Sequence, residues 1–257
     1  MYNIKVDTHT HTVFSRHAYS TVEEDARAAS GAGLEALAVT DHYSPLFVPT
    51  TDFANYGNFL NMKILPKNWY GVEMYYGAEA DIVSMEGQLF GYDLTVPYPW
   101  CKEKTSYLEW LKSRTDFLIA SIHQGLFADG KSAAEVTEMY CKVMDDENVL
   151  ILGHPGRDPH PFDIKEVVRC AKEKKVLIEL NEVSFAKEEY VERVGRELLV
   201  TCAELGTPVS VGSDAHCAWR IGKVDHVIKN MEEVSFPEEL IATANGEKFQ
   251  QLIGKRI

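Results

Sequence analysis

Short apolar runs alternate along the chain with stretches of helical periodicity. Seven of these runs read as strands: Tyr2–Asp7, Ala36–Thr40, Tyr75–Ala80, Phe117–Ile122, Val149–Leu152, Val176–Leu180 and Pro208–Val211. Between them, Ser20 with Glu23, Ser132 with Glu135, and Asp163 with Glu166 have the N-cap to N3 spacing that starts a helix. Gly33 and Gly206 stand where helices should stop. Alternating β and α units imply an α/β fold with a parallel sheet, and seven strands suggest a barrel. No repeat, low-complexity tract or Pro/Gly/Ser linker divides the chain, so residues 1–257 read as a single domain. Two connections are long, Tyr43–Met74 and Asp81–Asp116, and both are rich in aromatics. They read as small helices and hairpins packed on the barrel, in preference to a lid over a substrate.

Composition narrows the function. Hydrophobic residues are 45% of the 257, enough for a sizeable core without disulfides. The 26 Lys and Arg stand against 39 Asp and Glu, a net charge of −13. That balance disfavours general affinity for nucleic acid or for an anionic membrane, both of which need surplus Lys and Arg. It leaves a local cationic site open, because a bound metal does not enter the count. The five cysteines are odd in number and contain no C-x-x-C, so they read as reduced thiols in a cytoplasmic protein. The opening residues lack an apolar run, and none elsewhere approaches about 18 residues, so neither a signal peptide nor a membrane span is expected.

The histidines are concentrated at one topological position. His9 and His11 follow the first strand, and their i, i+2 spacing points both rings to one face of an extended chain. His17 lies in the loop behind them. His42 ends the second strand, His123 the fourth and His154 the fifth, while His216 follows the last. Glu79 lies near the end of the third strand and Asp214 just past the seventh. In a parallel barrel the C-terminal strand ends converge on one mouth, where active sites are built. A single histidine there is commonly structural. Seven packed together without a metal would leave many ring nitrogens unpaired. His160 and His226 fall outside the pattern and read as structural.

Seven imidazoles with Glu79 and Asp214 suit zinc, manganese or iron(II) better than calcium or magnesium. A catalytic zinc takes about three protein ligands and leaves room for water, so nine ligands would serve about three metals, especially with Glu79 bridging two. The pocket would then carry about +4, which calls for a small polyanion, phosphate above all.

These residues are recognisable as a set. Asp7-Thr8-His9-Thr10-His11 with His17, then Thr40-Asp41-His42, Gly77-Ala78-Glu79, Ile122-His123, His154-Pro155-Gly156 and Gly212-Ser213-Asp214-Ala215-His216 resemble the polymerase-and-histidinol-phosphatase (PHP) family. The stretch His9–Ser20, Asn61-Met62-Lys63 and Glu179-Leu180-Asn181 resemble its stand-alone bacterial branch of trinuclear-zinc phosphatases. The resemblance implies a distorted (βα)7 TIM-like barrel and three divalent metal ions. By the family pattern His9, His11, Glu79 and Asp214 hold one ion, Glu79, His123 and His154 a second, and His17, His42 and His216 the third. The 81–116 segment is longer than the branch implies, a departure that bears on the substrate pocket and on any homo-oligomer contact made there.

Asp7 and Asp41 closely precede ligands and are candidates to orient them through the second ring nitrogen. Each also reads as an ordinary strand-end turn residue. Arg16, Arg157 and Arg220 neighbour ligand segments and could clamp a phosphate, although each also reads as surface arginine. The expected activity is hydrolysis of a small phosphorylated metabolite by metal-activated water, with Glu79 and Asp214 as the catalytic carboxylates. A histidinol phosphatase is the nearest alternative. A phosphodiesterase or exonuclease would need a basic track to the site, against the −13 charge. A C–N hydrolase of the amidohydrolase type would want a bridging Lys on the fourth strand, and Phe117–His123 has none. A metal-binding scaffold without activity is the alternative from another class.

Overall fold

The computed structural model describes residues 2–46, 57–59, 61–95, 105–123, 125–186 and 189–254. Every apolar run folds as a strand, two of them in halves. The first gives β1 (Val6–Asp7). The second gives β2 (Ala36–Val39), and the chain resumes as β3 (His42–Tyr43) after a break at Thr40-Asp41. The third breaks at Gly77 into β5 (Val72–Tyr76) and β6 (Ala78–Asp81), preceded by a short β4 (Asn68–Trp69) that the apolar pattern does not signal. The rest are β7 (Leu118–Ser121), β8 (Val149–Leu152), β9 (Leu177–Asn181) and β10 (Val209–Gly212).

The strands pair in two sheets, ordered β1-β2-β5-β4 and β10-β9-β8-β7-β6-β3. Every pairing is parallel except β4 with β5. The α/β class and parallel strands agree with the sequence pattern. The ladder is not closed into one barrel. The breaks at Thr40-Asp41 and Gly77 transfer the second half of each strand from one sheet to the other. Between β1 and β10 stand an isolated Thr10–Ala215 bridge and the Thr8 hydroxyl, 2.6 Å from that of Ser210.

Alternate strand residues divide the core, as period-two side-chain direction requires. Ala36, Ala38, Ile119, Ile151 and Leu177 share one cluster with Phe249 and Ile253. Their neighbours Leu37, Val39, Leu118, Ala120 and Ile178 belong to a larger cluster that includes Val136, Val167 and Leu198 of the helices.

The helices include α1 (Val22–Gly31), α2 (Tyr107–Lys112), α3 (Ala133–Val143), α4 (Ile164–Lys174), α5 (Glu182–Phe185), α6 (Glu189–Leu205), α7 (Asp225–Val234) and α8 (Gly246–Gly254). Ser132 and Glu135 form the predicted capping box of α3, and Asp163 accepts the Glu166 N–H at the start of α4. At α1 the box lies one residue later than predicted, between Thr21 and Glu24. Ser20 Oγ instead accepts the Ala218 N–H at 2.5 Å, so it ties the first loop to the last. Gly33 and Gly206 follow helix ends at φ of +71° and +64°, where a side chain would be strained.

The long connections carry hairpin and helix pieces. Ile82 and Leu89 form an antiparallel bridge, α2 buries Tyr107 and Trp110, and Phe59 is buried in the first connection. Residues 47–56, 60 and 96–104, with Cys101 among them, lie outside the described residues. One expectation is corrected. Cys141 on α3 and Cys170 on α4 are joined by a disulfide, their Cα atoms 5.7 Å apart. The 29-residue separation hides a pair that side-by-side helices bring together. Cys202 and Cys217 are free thiols. No helix among the described residues is long and apolar enough to cross a membrane.

Candidate metal centre

All nine residues singled out at strand ends meet in one place, although they span His9 to His216. Glu79 is at the centre, fully buried on β6. Its Oε2 lies 2.7 Å from His42 Nδ1, 3.3 Å from His9 Nε2 and 3.6 Å from His11 Nε2. Its Oε1 lies 2.7 Å from His154 Nε2 and 3.5 Å from His123 Nε2. Asp214 Oδ1 lies 3.2 Å from His11 Nε2 and 3.8 Å from His9 Nε2. His17 and His216 pair at the outer edge, Nε2 to Nε2 at 2.8 Å.

The donor set fits metal. His9 Nε2, His11 Nε2 and Glu79 Oε2 are buried and crowd together, yet among the described residues none has a neighbour in hydrogen-bonding geometry, a costly arrangement for a closed polar core. Ligands bonded at about 2.0–2.2 Å to one tetrahedral ion lie roughly 3.3–3.6 Å apart. The four distances from His9 and His11 to Glu79 and Asp214 run from 3.2 to 3.8 Å. His42, Glu79 and His123, and His11, His42 and His216, are further groups close enough to share an ion.

The second ring nitrogens of His9, His123 and His11 are held by groups to which the sequence reading gave no such role. Glu179 Oε1 lies 2.6 Å from His9 Nδ1, Asp81 Oδ1 2.7 Å from His123 Nδ1, and Ser15 Oγ 3.0 Å from His11 Nδ1. Asp7 and Asp41 act one step further out. Asp7 accepts backbone N–H groups of Ser213 and Gly222, and Asp41 accepts from Thr12 N–H and the Ser15 hydroxyl. They brace the loops instead of the rings. The signal for Glu179 is a carboxylate inside the apolar run Val176–Leu180.

Gly212 makes the Glu179 contact possible. A Cβ there would stand 2.6 Å from Glu179 Oε1 and 2.7 Å from His9 Cβ. His154 and Asp214 have φ of +27° and +52°, a region side-chain-bearing residues rarely adopt, and such strain concentrates at functional sites. Glu179 Oε2 accepts the His154 N–H at 2.7 Å, which helps hold that conformation.

Of the three arginines only Arg157 reaches the cluster. Its Nη2 lies 2.9 Å from Asp214 Oδ2 and 2.5 Å from Asn181 Oδ1, and it lines a cavity of about 370 Å³ with His17, His42, His123, Val183, Asp214 and His216. Arg16 and Arg220 are exposed loop residues outside that lining. His160 stands apart near Asp158, and His226 Nδ1 bonds Glu182 at 2.6 Å on α7. Neither joins the cluster.

Burial penalises every charge here, and neighbours decide the balance. For Glu79 burial is outweighed by His123, His9 and His42, which hold the carboxyl well below its usual range. For Asp214 it is outweighed by His9 and Arg157, again with a low result. Burial, reinforced by Arg157, pushes His154 down to about 4, so it is a neutral donor. Against burial, Glu179 and Glu79 hold His9 well above its usual value, and Glu79 lifts His123 to about 9, so a cation entering beside the two ionised carboxylates would displace protons from those rings.

The chain matches the PHP domain over residues 7–235. It belongs to the PHP family. A PHP relative from Acetivibrio thermocellus named probable phosphatase is 36% identical over 251 residues, covering 98% of this chain and 95% of that protein. A protein of the same description from Aliivibrio fischeri is 35% identical over 249 residues, covering 96% and 92%. Among solved structures, a histidinol phosphate phosphatase from Lactococcus lactis, complexed with zinc, L-histidinol and phosphate, has a TM-score of 0.58 at 18% identity, covering 91% of this chain and 94% of its own. At that identity the likeness is one of fold, and the two folds correspond over nearly their whole lengths.

Proposed function

We propose that this PHP protein is a metal-dependent phosphatase that hydrolyses a small phosphomonoester. The observation that carries the reading is Glu79. One buried carboxylate turns one oxygen to His9, His11 and His42 and the other to His123 and His154, the arrangement of a ligand bridging two cations. His9, His11, Glu79 and Asp214 would hold the first ion; Glu79, His123 and His154 the second; His17, His42 and His216 the third. Zinc suits this donor set, with manganese and iron(II) close behind. Such ions supply an activated water near neutral pH and neutralise the phosphoryl charge.

The chain's own groups do the rest. Arg157 stands in the cavity wall, where its guanidinium would orient phosphate oxygens. Its bond to Asp214 Oδ2 leaves Oδ1 turned to the histidines. Asp81, Glu179 and Ser15 fix the ring orientations of His123, His9 and His11. The two sheets are read as a distorted seven-stranded barrel, with β2–β3 and β5–β6 each counted as one bent strand.

The phosphatase name of the curated relatives supports the reaction class. The net charge of −13 and a cavity of about 370 Å³ favour a metabolite over a nucleic acid. The test is metal analysis of gently purified protein, chelation, and reconstitution against aryl phosphate and single-stranded DNA. Two to three ions per chain and hydrolysis of the ester far above DNA cleavage are expected. Full activity with less than one ion per chain would remove the reading.

A further inference from the structure

Six of the ten exposed large hydrophobic side chains among the described residues stand at one end of the molecule. Val13, Phe14 and Tyr19 lie in the loop after β1, Leu46 after β3, Leu126 after β7 and Trp219 after β10. These loops leave the strands whose C-terminal ends bring histidines to the cluster. Tyr19 and Trp219 are the most open of them, at 81% and 79% exposure. Along the first loop His17 and Tyr19 are exposed while Ala18 and Ser20 are buried, so Tyr19 shares a face with His17, a residue of the cavity wall. The Tyr19 N–H donates to His216 O at 2.8 Å, and the Ala218 N–H to Ser20 Oγ, which joins the two aromatic-bearing loops edge to edge beside the cavity.

The cavity has the opposite character. Its lining is His, Arg and Asp apart from Val183. Its volume of about 370 Å³ is near the lower end for pockets that enclose a whole small ligand, about 300–1,000 Å³. This polar lining suits a phosphate and offers an apolar alcohol little contact, so the leaving group of an ester bound here would meet the rim. Scattered exposed apolar residues need no explanation, but a set of them around a polar pocket is the pattern of a recognition surface.

We propose, resting on the phosphatase reading, that this rim selects phosphomonoesters of an apolar, planar alcohol, with Tyr19 and Trp219 holding the leaving group. Lys223 Nζ lies 4.0 Å from the centroid of the Trp219 ring, so one face of that ring is covered and the other is left for the ligand. A flat ring gains more from such stacking than a flexible polar alcohol does.

Phenethyl phosphate and ethyl phosphate share the same primary-alcohol leaving oxygen and differ only in the phenyl group. The zinc-loaded protein is expected to prefer the phenethyl ester by about tenfold or more in kcat/KM, chiefly through KM. Tyr19→Ala and Trp219→Ala should each shrink that ratio severalfold, whereas Val200→Ala, on the outer helix α6, should leave it in place. Both rim residues are exposed, so their variants should fold. Equal kcat/KM for the two esters, or a ratio untouched by either rim substitution, overturns the proposal. Hydrolysis of neither ester removes the phosphatase reading and this one with it, a result distinct from hydrolysis without preference. If a rim substitution turns an oligomer into a monomer and leaves the ester ratio intact, the rim is a contact between copies of this chain and the proposal is overturned.

Discussion

His9 Nδ1 lies 2.6 Å from Glu179 Oε1, with both side chains wholly out of solvent. The same carboxylate accepts the His154 N–H through Oε2, so it braces both sides of the cluster at once. Glu179→Gln keeps the shape but replaces one acceptor by a donor. Metal affinity should fall by about 10–100-fold, the usual cost of losing an outer partner of a ligating histidine. Titration against a competing chelator measures it, and an unchanged affinity would show that the contact does not orient His9.

Glu79→Gln removes a charge faced by five histidines. Turnover of an aryl phosphate should drop by at least about 100-fold, with metal content falling too. His226→Ala should change turnover less than about twofold, because its ring is half-exposed on α7 and outside the cluster. Equal damage from the two substitutions would refute the assignment of ligands by strand-end position.

Asp25 on α1 is fully buried. Burial, then the neighbouring Asp41, raises its pKa to about 8 against the opposing Ser20 hydroxyl. In the unfolded chain it titrates near about 4. Between about pH 4 and pH 8 the folded protein therefore holds a proton that the unfolded chain has lost. Stability falls as pH rises through that window and levels off above it. Asp25→Asn mimics the neutral acid without the titration. Its melting temperature should exceed that of the wild type by a margin that grows from pH 5 to pH 8. A margin constant with pH would show that Asp25 does not carry this proton.

The Cys141–Cys170 bond changes an accessible count. Cys202 and Cys217 should react with a thiol reagent in denaturant without reductant, whereas Cys141 and Cys170 should react only after reduction. Five reactive thiols at the outset would return the pair to the reduced state expected from the sequence.

The gathering of the histidines is legible in the sequence by itself, because strand order alone decides it. A parallel βα chain brings every C-terminal strand end to the same side, whatever the packing between. His9, His42, Glu79, His123 and Asp214 need only their place at or just past the end of an apolar run. The α3 capping box is legible for a similar reason, since Ser132 and Glu135 are neighbours in sequence. What the tertiary structure decided involves groups far apart in the chain. Glu179 meets His9 because β9 pairs with β10 in a register that sets Ser210 against Glu179, and because Gly212 has no side chain to intervene. Arg157 faces the cavity and Arg16 and Arg220 do not, a matter of loop conformation rather than proximity to a motif. The division of the strands into two sheets, the Cys141–Cys170 pair and the buried carboxyl of Asp25 belong to the same class. Each depends on distances between segments that local periodicity does not encode, because side-chain contacts are set by how elements pack after they have formed.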